Sequence, residues 1–147
     1  MNKTILYTGA FRFPIGDAAA PRVLNNAKIL RELGYDVVFI GFGGEARDED
    51  KQIDGQYYYQ GFRYIISNDI DIQQTNILKR VIRFVFSGRK ALSIINNHLH
   101  NVHAIIAYQP SSYFTKQLLA LCKTHSFKLI SDLTEWYAPN EIPGGAF

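Results

Sequence analysis

The sequence contains a single cysteine, Cys122, among its 147 residues. One thiol cannot form an internal disulfide, so the disulfide-framed secreted domains are excluded, and a cysteine in an apolar helical run is expected to be buried. No apolar stretch reaches the roughly eighteen residues of a membrane span, and no signal peptide is recognisable. These absences predict a cytoplasmic protein, with peripheral attachment to the inner face of the membrane as the alternative.

Acidic residues are missing from 72–131, although ten of the thirteen in the chain lie between Asp17 and Asp71. The cations of that acid-free segment are Lys79, Arg80, Arg83, Arg89, Lys90, Lys116, Lys123 and Lys128. The pattern predicts a helix over 76–86 that is broken or bent around Ser87-Gly88 and resumes through Leu99. Provided that the helix continues through Gly88, a basic stripe falls opposite a wide apolar arc. The stripe consists of Lys79, Arg80, Arg83 and Lys90. This pattern is typical of a helix at an anionic membrane surface; a core-facing helix with a solvated basic side is the alternative.

Several motifs of cofactor chemistry are also missing. The glycines after the first predicted strand, Gly9 and Gly16, are too far apart for the dinucleotide fingerprint, and no P-loop sequence occurs. The spacing of His98, His100 and His103 does not converge on one helix face, so no metal site is predicted. No nucleic-acid reader motif is present, and no nucleic-acid partner is expected. The sequence therefore predicts no cofactor.

Short apolar runs alternate with helical patterns along the chain. The predicted strands are 3–8, 37–40, 104–108 and 128–131, with a small hairpin within 57–66. A helix that begins at Asp17 or Pro21 and is stopped by Gly34 joins the first two strands. Strand, helix and strand within about forty residues form a right-handed βαβ unit with parallel strands. The sequence thus predicts one α/β domain over residues 1–147, a Rossmann-like parallel sheet with helices on both faces.

Two strand ends carry the candidate site, the loop 9–22 and the segment 132–139. In a doubly wound sheet, ligands bind outside the carboxyl ends of the strands where the strand order reverses, so the two stretches are expected to line one cleft. The candidates for contact with substrate or a donor phosphate are Gly9, Gly16, Asp17, Arg22, Trp136 and Tyr137. Backbone N–H groups near Gly16 and the following helix dipole favour phosphate, and Arg22 supplies a cation.

Asp132 and Glu135 are the candidate catalytic carboxylates, able to bind sugar hydroxyls or to accept a proton. Each candidate has a plainer interpretation. Gly16 also fits a simple turn, Arg22 a helix surface and Trp136 the core. Glu135 also fits the first turn of a helix.

The order of these motifs resembles the N-terminal, acceptor-side half of a GT-B glycosyltransferase of the family-4-like group. The resemblance begins with residues 5–9, followed by Pro14, Gly16, Ala18 and Arg22. Residues 27–37 match the A-x-x-L-x-x-x-G-H-x-V run of that family, with Tyr35 in place of the histidine. Residues 104–108 look like its fourth strand, and 132–139 are similar to the D-x-x-D-x-W-x segment after its fifth. The family's Gly-Gly pair in the first loop is here Gly16-Asp17.

The resemblance implies transfer of a sugar from a nucleotide-sugar donor to a glycan or lipid-linked acceptor, in polysaccharide or cell-envelope biosynthesis and without a bound metal. The donor-binding C-terminal domain of that family, with its E-x7-E motif, is absent from the 147 residues. The chain is therefore expected to be half of the enzyme and inactive alone. The alternative interpretation is a stand-alone α/β module that binds a ligand or regulates without catalysis.

Overall fold

The computed structural model describes residues 3–52, 54–69 and 86–134, and these form an α/β sheet structure flanked by helices. The strands are β1 Thr4–Arg12, β2 Asp36–Gly43, β3 Tyr57–Tyr59, β4 Phe62–Ile66, β5 Val102–Tyr108 and β6 Lys128–Asp132. The helices are α1 Ala19–Glu32, α2 Arg89–Asn96 and α3 Ser112–His125, and a 3-10 turn spans Asp48–Asp50.

The six strands form one sheet in the order β3-β4-β2-β1-β5-β6. Every neighbouring pair is parallel except β3 and β4, the antiparallel hairpin at one edge. The strand order reverses between β1 and β5, which both lie at the centre of the sheet. This arrangement confirms the predicted Rossmann-like fold, its edge hairpin and the position of its switch point.

Apolar side chains alternate along the central strands and supply a core to each face of the sheet. One face is covered by α1, whose Val23, Leu24 and Ala27 pack on residues of β1 and β2. The other face is covered by α2 and α3. Cys122 of α3 lies in that second core, as predicted, and burial raises the pKa of its thiol.

The first two strands are longer than predicted, because glycines in both of them are part of the sheet. β1 continues through Gly9 to Arg12, with a register shift after Gly9, so this glycine belongs to the strand and not to the loop. Phe11 and Phe13 beyond it are fully buried and pack against Phe39 of β2. These aromatic contacts hold the extended strand where a loop is expected from glycine content alone.

The helical segment expected over 76–99 is described only in its second part. Gly88, with φ +94°, is the N-cap of α2, so the expected break at Ser87-Gly88 is confirmed and the helix does not continue through Gly88 as the basic stripe requires. α2 starts after Gly88 and ends at Asn96, where the N–H groups of Asn97 and His98 turn to the carbonyls three residues earlier. Residues 76–85 lie outside the described part of the chain. No helix among residues 3–52, 54–69 and 86–134 is long and apolar enough to cross a membrane.

We predict that Gly9→Ala destabilises the fold far more than Gly34→Ala. Gly9 and Gly34 both have positive φ, +143° and +86°. A Cβ on Gly9 would lie 2.2 Å from the carbonyl oxygen of Tyr108, whereas one on Gly34 would meet nothing within 4 Å. Overpacking against backbone should lower the free energy of unfolding by about 3 kcal/mol. The strained φ alone should cost Gly34→Ala about 1 kcal/mol.

Urea unfolding of the two variants and the unchanged protein measures this difference. Equal losses for the two variants would show that β5 does not need a glycine at position 9 for its close approach to β1.

Candidate functional site

Asp132 is the last residue of β6, and the register of the sheet places it at the carboxyl edge beside the switch point. It is aligned with Tyr108 of β5, which in turn is aligned with Gly9 of β1. The last residues of β5 and β6 therefore lie in one row with Gly9 of β1. The carboxyl edge of a parallel sheet, next to the reversal of strand order, is where doubly wound domains bind ligands.

Three side chains from β1 and α1 converge on the Asp132 carboxylate. Arg22 Nη2 of α1 donates to Oδ1 at 2.7 Å, and the two groups form an ion pair. Asn26 Nδ2, one helical turn later, donates to Oδ2 at 3.3 Å and to the Tyr7 hydroxyl at 3.0 Å. The Tyr7 hydroxyl itself donates to Oδ2. We call these four residues the Asp132 cluster.

The local sequence explains this convergence. Arg22 and Asn26 are four residues apart on α1, so they share one face of the helix. Tyr7 points from the middle of β1 into the core beneath α1, with its ring against Phe11 and Phe39. Its hydroxyl needs a hydrogen-bond partner when the ring is buried, and Asp132 supplies it.

The Asp132 cluster is polar and electrically balanced. The Asp132 side chain is 11% exposed and that of Arg22 is 46% exposed, so the arginine presents its remaining N–H donors to solvent. Burial, followed by the hydrogen bond to Asp132, raises the pKa of Tyr7 well above its ordinary value. The hydrogen bond and charge of Asp132 also raise the pKa of Arg22. At neutral pH the cluster holds one cation, one anion and a neutral phenol.

The loop before α1 is closed by its own carboxylate. Asp17 accepts from the backbone N–H groups of Ala19 and Ala20, each at 3.0 Å, and from that of Arg12 at 2.9 Å. Asp17 thus binds the first N–H groups of the helix, but the predicted N-cap position is wrong by one residue, because Ala18 is the N-cap and α1 begins at Ala19. A phosphate at this helix N-terminus would have to displace that carboxylate.

Gly16 has φ +146°, and a Cβ there would meet the Arg12 side chain at 2.9 Å. A glycine at position 16 is therefore required by the turn of the loop itself. Gly9 is explained by the approach of β5 to β1. Of the phosphate contacts expected from the sequence, Gly9, Gly16 and Asp17 each have a structural role in this arrangement.

The structure brings together two of the predicted site residues, Arg22 and Asp132. They form a direct ion pair, so the two strand-end segments touch at this point. Lys90 is exposed at the start of α2, with its Nζ 3.0 Å from the carbonyl oxygen of Asn68. The other predicted residues lie outside the described part of the chain. They are Lys79, Arg80, Arg83, Glu135, Trp136 and Tyr137.

Sequence reasoning missed Tyr7 and Asn26. A tyrosine in the middle of a buried strand is a signal, because its hydroxyl requires a partner, and Asn26 follows Arg22 by one turn. Which acidic residue they meet depends on the register between β5 and β6, which is set by contacts far apart in the chain.

The three histidines singled out in the sequence do not form a cluster. His98 Nε2 lies 3.1 Å from Arg63 Nη2, whereas His103 stacks on Tyr35. Within the described residues, no group of three or more His, Cys, Asp or Glu side chains is arranged to hold a metal ion.

The fold and the position of the Asp132 cluster define a Rossmann-like α/β domain with a polar site at the carboxyl edge of its sheet. Among solved structures, the chain is similar to the C-terminal domain of a hydrogenase from Pyrococcus furiosus, with a TM-score of 0.55 and 15% sequence identity. The alignment covers 89% of this chain and 92% of that domain. At this identity the likeness concerns the fold alone. No protein-family model matches the chain, and no curated protein matches it.

We predict that Tyr7→Phe removes part of the loss of stability at alkaline pH. A tyrosine whose pKa is raised by folding keeps its proton in the folded state after the unfolded chain has released it. Its contribution is therefore fully present below pH of about 10 and is lost as pH rises above that value. Between about pH 10 and 11 the unchanged protein should lose about 1 kcal/mol that Tyr7→Phe does not lose.

The measurement is the free energy of unfolding in urea at several pH values, with Tyr58→Phe as the control tyrosine. Parallel pH profiles for the unchanged protein and Tyr7→Phe would contradict the buried hydrogen bond to Asp132.

Proposed function

We propose that this chain is the acceptor-side half of a GT-B glycosyltransferase, which transfers a sugar from a nucleotide-sugar donor to a glycan or lipid-linked acceptor. The ordered sequence motifs and the Rossmann-like sheet support the assignment to this class. The observation that carries it is the Asp132 cluster, a charge-balanced set of donors and acceptors at the carboxyl edge of the sheet.

The cluster suits a neutral, hydroxyl-rich ligand better than an anion. Arg22 already faces the carboxylate of Asp132, so little net positive charge remains to attract a phosphate. Sugar hydroxyls, in contrast, both donate and accept, and they match a site that offers guanidinium N–H groups and the Asn26 amide oxygen beside a carboxylate. Ile130, two residues before Asp132 on the same face of β6, is 47% exposed and offers apolar surface for the C–H groups of a sugar ring.

The carboxylate retains room for one more donor. An ionised carboxylate has about four lone-pair positions. Arg22, Tyr7 and Asn26 fill three of them, and Oδ1 receives only Arg22. We assign the remaining position on Oδ1 to a hydroxyl of the acceptor, which Asp132 would orient for attack. Glu135 is the second carboxylate proposed for the reaction, as the proton acceptor.

The proposal implies a nucleotide-sugar donor held by a C-terminal domain of the GT-B type, so this chain alone is expected to give no turnover. It also implies a place for the basic residues Lys79, Arg80, Arg83 and Lys90 at an anionic membrane surface, where a lipid-linked acceptor would lie. Sedimentation with anionic and neutral vesicles tests that partner separately. The alternative function, a ligand-binding module without catalysis, would use the same cluster.

We predict that methyl glycosides bind to the chain at the Asp132 cluster and that Asn26→Ala weakens this binding about tenfold. That factor corresponds to the loss of about 1.4 kcal/mol, within the range of one well-placed hydrogen bond. The measurement is an NMR titration of the chain with the methyl glycosides of glucose, galactose, mannose and N-acetylglucosamine, following the side-chain signals of Asn26 and Arg22.

Asn25→Ala is the matched control, since Asn25 is the preceding residue of α1 and is exposed to solvent. Asp132→Asn, which keeps the shape of the side chain, should weaken binding at least as much as Asn26→Ala. Binding of inorganic phosphate at these signals without any response to the glycosides would overturn the assignment of a sugar acceptor.

A further inference from the structure

A second concave site lies at the opposite edge of the sheet from Asp132. It is a cavity of about 700 Å³ along β4, bounded by the loop after β2 and by the start of β3. Its lining includes Glu45, Tyr57, Arg63, Ile65, Ile66 and His98. The volume lies within the range of small-molecule sites, about 300 to 1,000 Å³. None of these residues belongs to the Asp132 cluster.

Arg63 and His98 meet in this cavity in an arrangement that fixes the form of the imidazole ring. His98 Nδ1 lies 2.7 Å from the carbonyl oxygen of Ile94, which can only accept, so Nδ1 carries the hydrogen. Nε2 then accepts from Arg63 Nη2 at 3.1 Å. The guanidinium therefore donates to a neutral ring and receives no compensating negative charge from it.

No described carboxylate forms an ion pair with Arg63. The Asp50 carboxylate is already paired with other groups. Arg47 donates to both of its oxygens, and the Tyr64 hydroxyl donates to it at 2.8 Å. Burial opposes ionisation of Asp50, but these hydrogen bonds lower its pKa below the usual value. Glu45, which also lines the cavity, is exposed.

A partly buried arginine without a counter-charge is an uncommon arrangement, because a guanidinium that loses water is normally paired with an anion. Arg22 and Arg47 each have an aspartate, Arg31 and Arg89 lie over aromatic rings, and the partly buried Arg12 has neither kind of partner among the described residues. Arg63 likewise has neither kind of partner among the described residues. A bidentate contact with a planar or tetrahedral anion would use Nε or Nη1 together with the second N–H of Nη2, whose other N–H donates to His98.

We propose that the β4 cavity binds a small organic anion, with its carboxylate or phosphate on Arg63 and its apolar body against Ile65, which lies on the same face of β4 as Arg63. Both kinds of charged group fit the guanidinium fork. Ile65, partly buried beside Arg63 on this face, favours a ligand with an apolar portion over a simple inorganic ion. This inference is independent of the proposed glycosyl transfer.

Calorimetric titration of the chain with benzoate, phenyl phosphate and benzyl alcohol at constant ionic strength tests the proposal. The three probes share an aromatic body, and only the first two carry a charge. At least one of them should bind tenfold or more tightly than benzyl alcohol, and the better of the two identifies the charged group. Failure of both anions to exceed the neutral probe would overturn the proposal without requiring any variant.

Substitutions of the lining residues test whether the anion binds in the β4 cavity. Arg63→Gln should reduce the affinity for the better anion at least tenfold, and Arg63→Lys should retain a part of it. Glu45→Gln should tighten binding by removing a negative charge from the lining. Arg89→Gln is the matched control, since Arg89 is an exposed arginine of α2 with aromatic neighbours. Anion binding by Arg63→Gln equal to that of the unchanged protein would contradict the assignment.

Discussion

The parallel pairing of β1 with β5 is the constraint on which the arrangement of the site depends. At Gly9 the backbone of β5 approaches β1 so closely that no side chain fits between them. This contact sets the register of β5, and β5 sets the register of β6, whose last residue is Asp132. The position of the Asp132 carboxylate at the edge of the sheet thus depends on the glycine at position 9, two strands away.

Tyr7 links that register to the hydrophobic core. Its ring contributes to the aromatic packing beneath α1, and its hydroxyl requires an acceptor in a place that water does not reach. Asp132 meets this requirement and in turn holds Arg22 and Asn26. The carboxylate that we propose orients a ligand is therefore also the one that satisfies the buried Tyr7 hydroxyl.

The sequence predicts those parts of the molecule that short-range patterns determine. Apolar runs locate the four core strands, Gly34 locates the end of α1, and the turn at 60–61 indicates a small hairpin or an edge strand within 57–66, where the structure has the hairpin. The sequence pattern places Gly9 in a loop, which is wrong. A glycine required by a neighbouring strand looks the same in the sequence as one required by a turn. The contact between Tyr7 and Asp132 joins residues 125 positions apart, and no local pattern encodes it.

The N-termini of α1 and α2 explain why a glycine-bearing loop before a helix is weak evidence for phosphate. Asp17 binds the first N–H groups of α1, and Asp69 binds those of Lys90 and Ala91 in α2. In both cases the charge that the helix dipole favours is supplied by the chain itself. The balanced pair of Arg22 and Asp132 follows the same rule, since each charge is satisfied internally and only neutral hydrogen-bonding capacity remains. Arg63 departs from that rule in the described chain, and a ligand charge is what would restore the balance there.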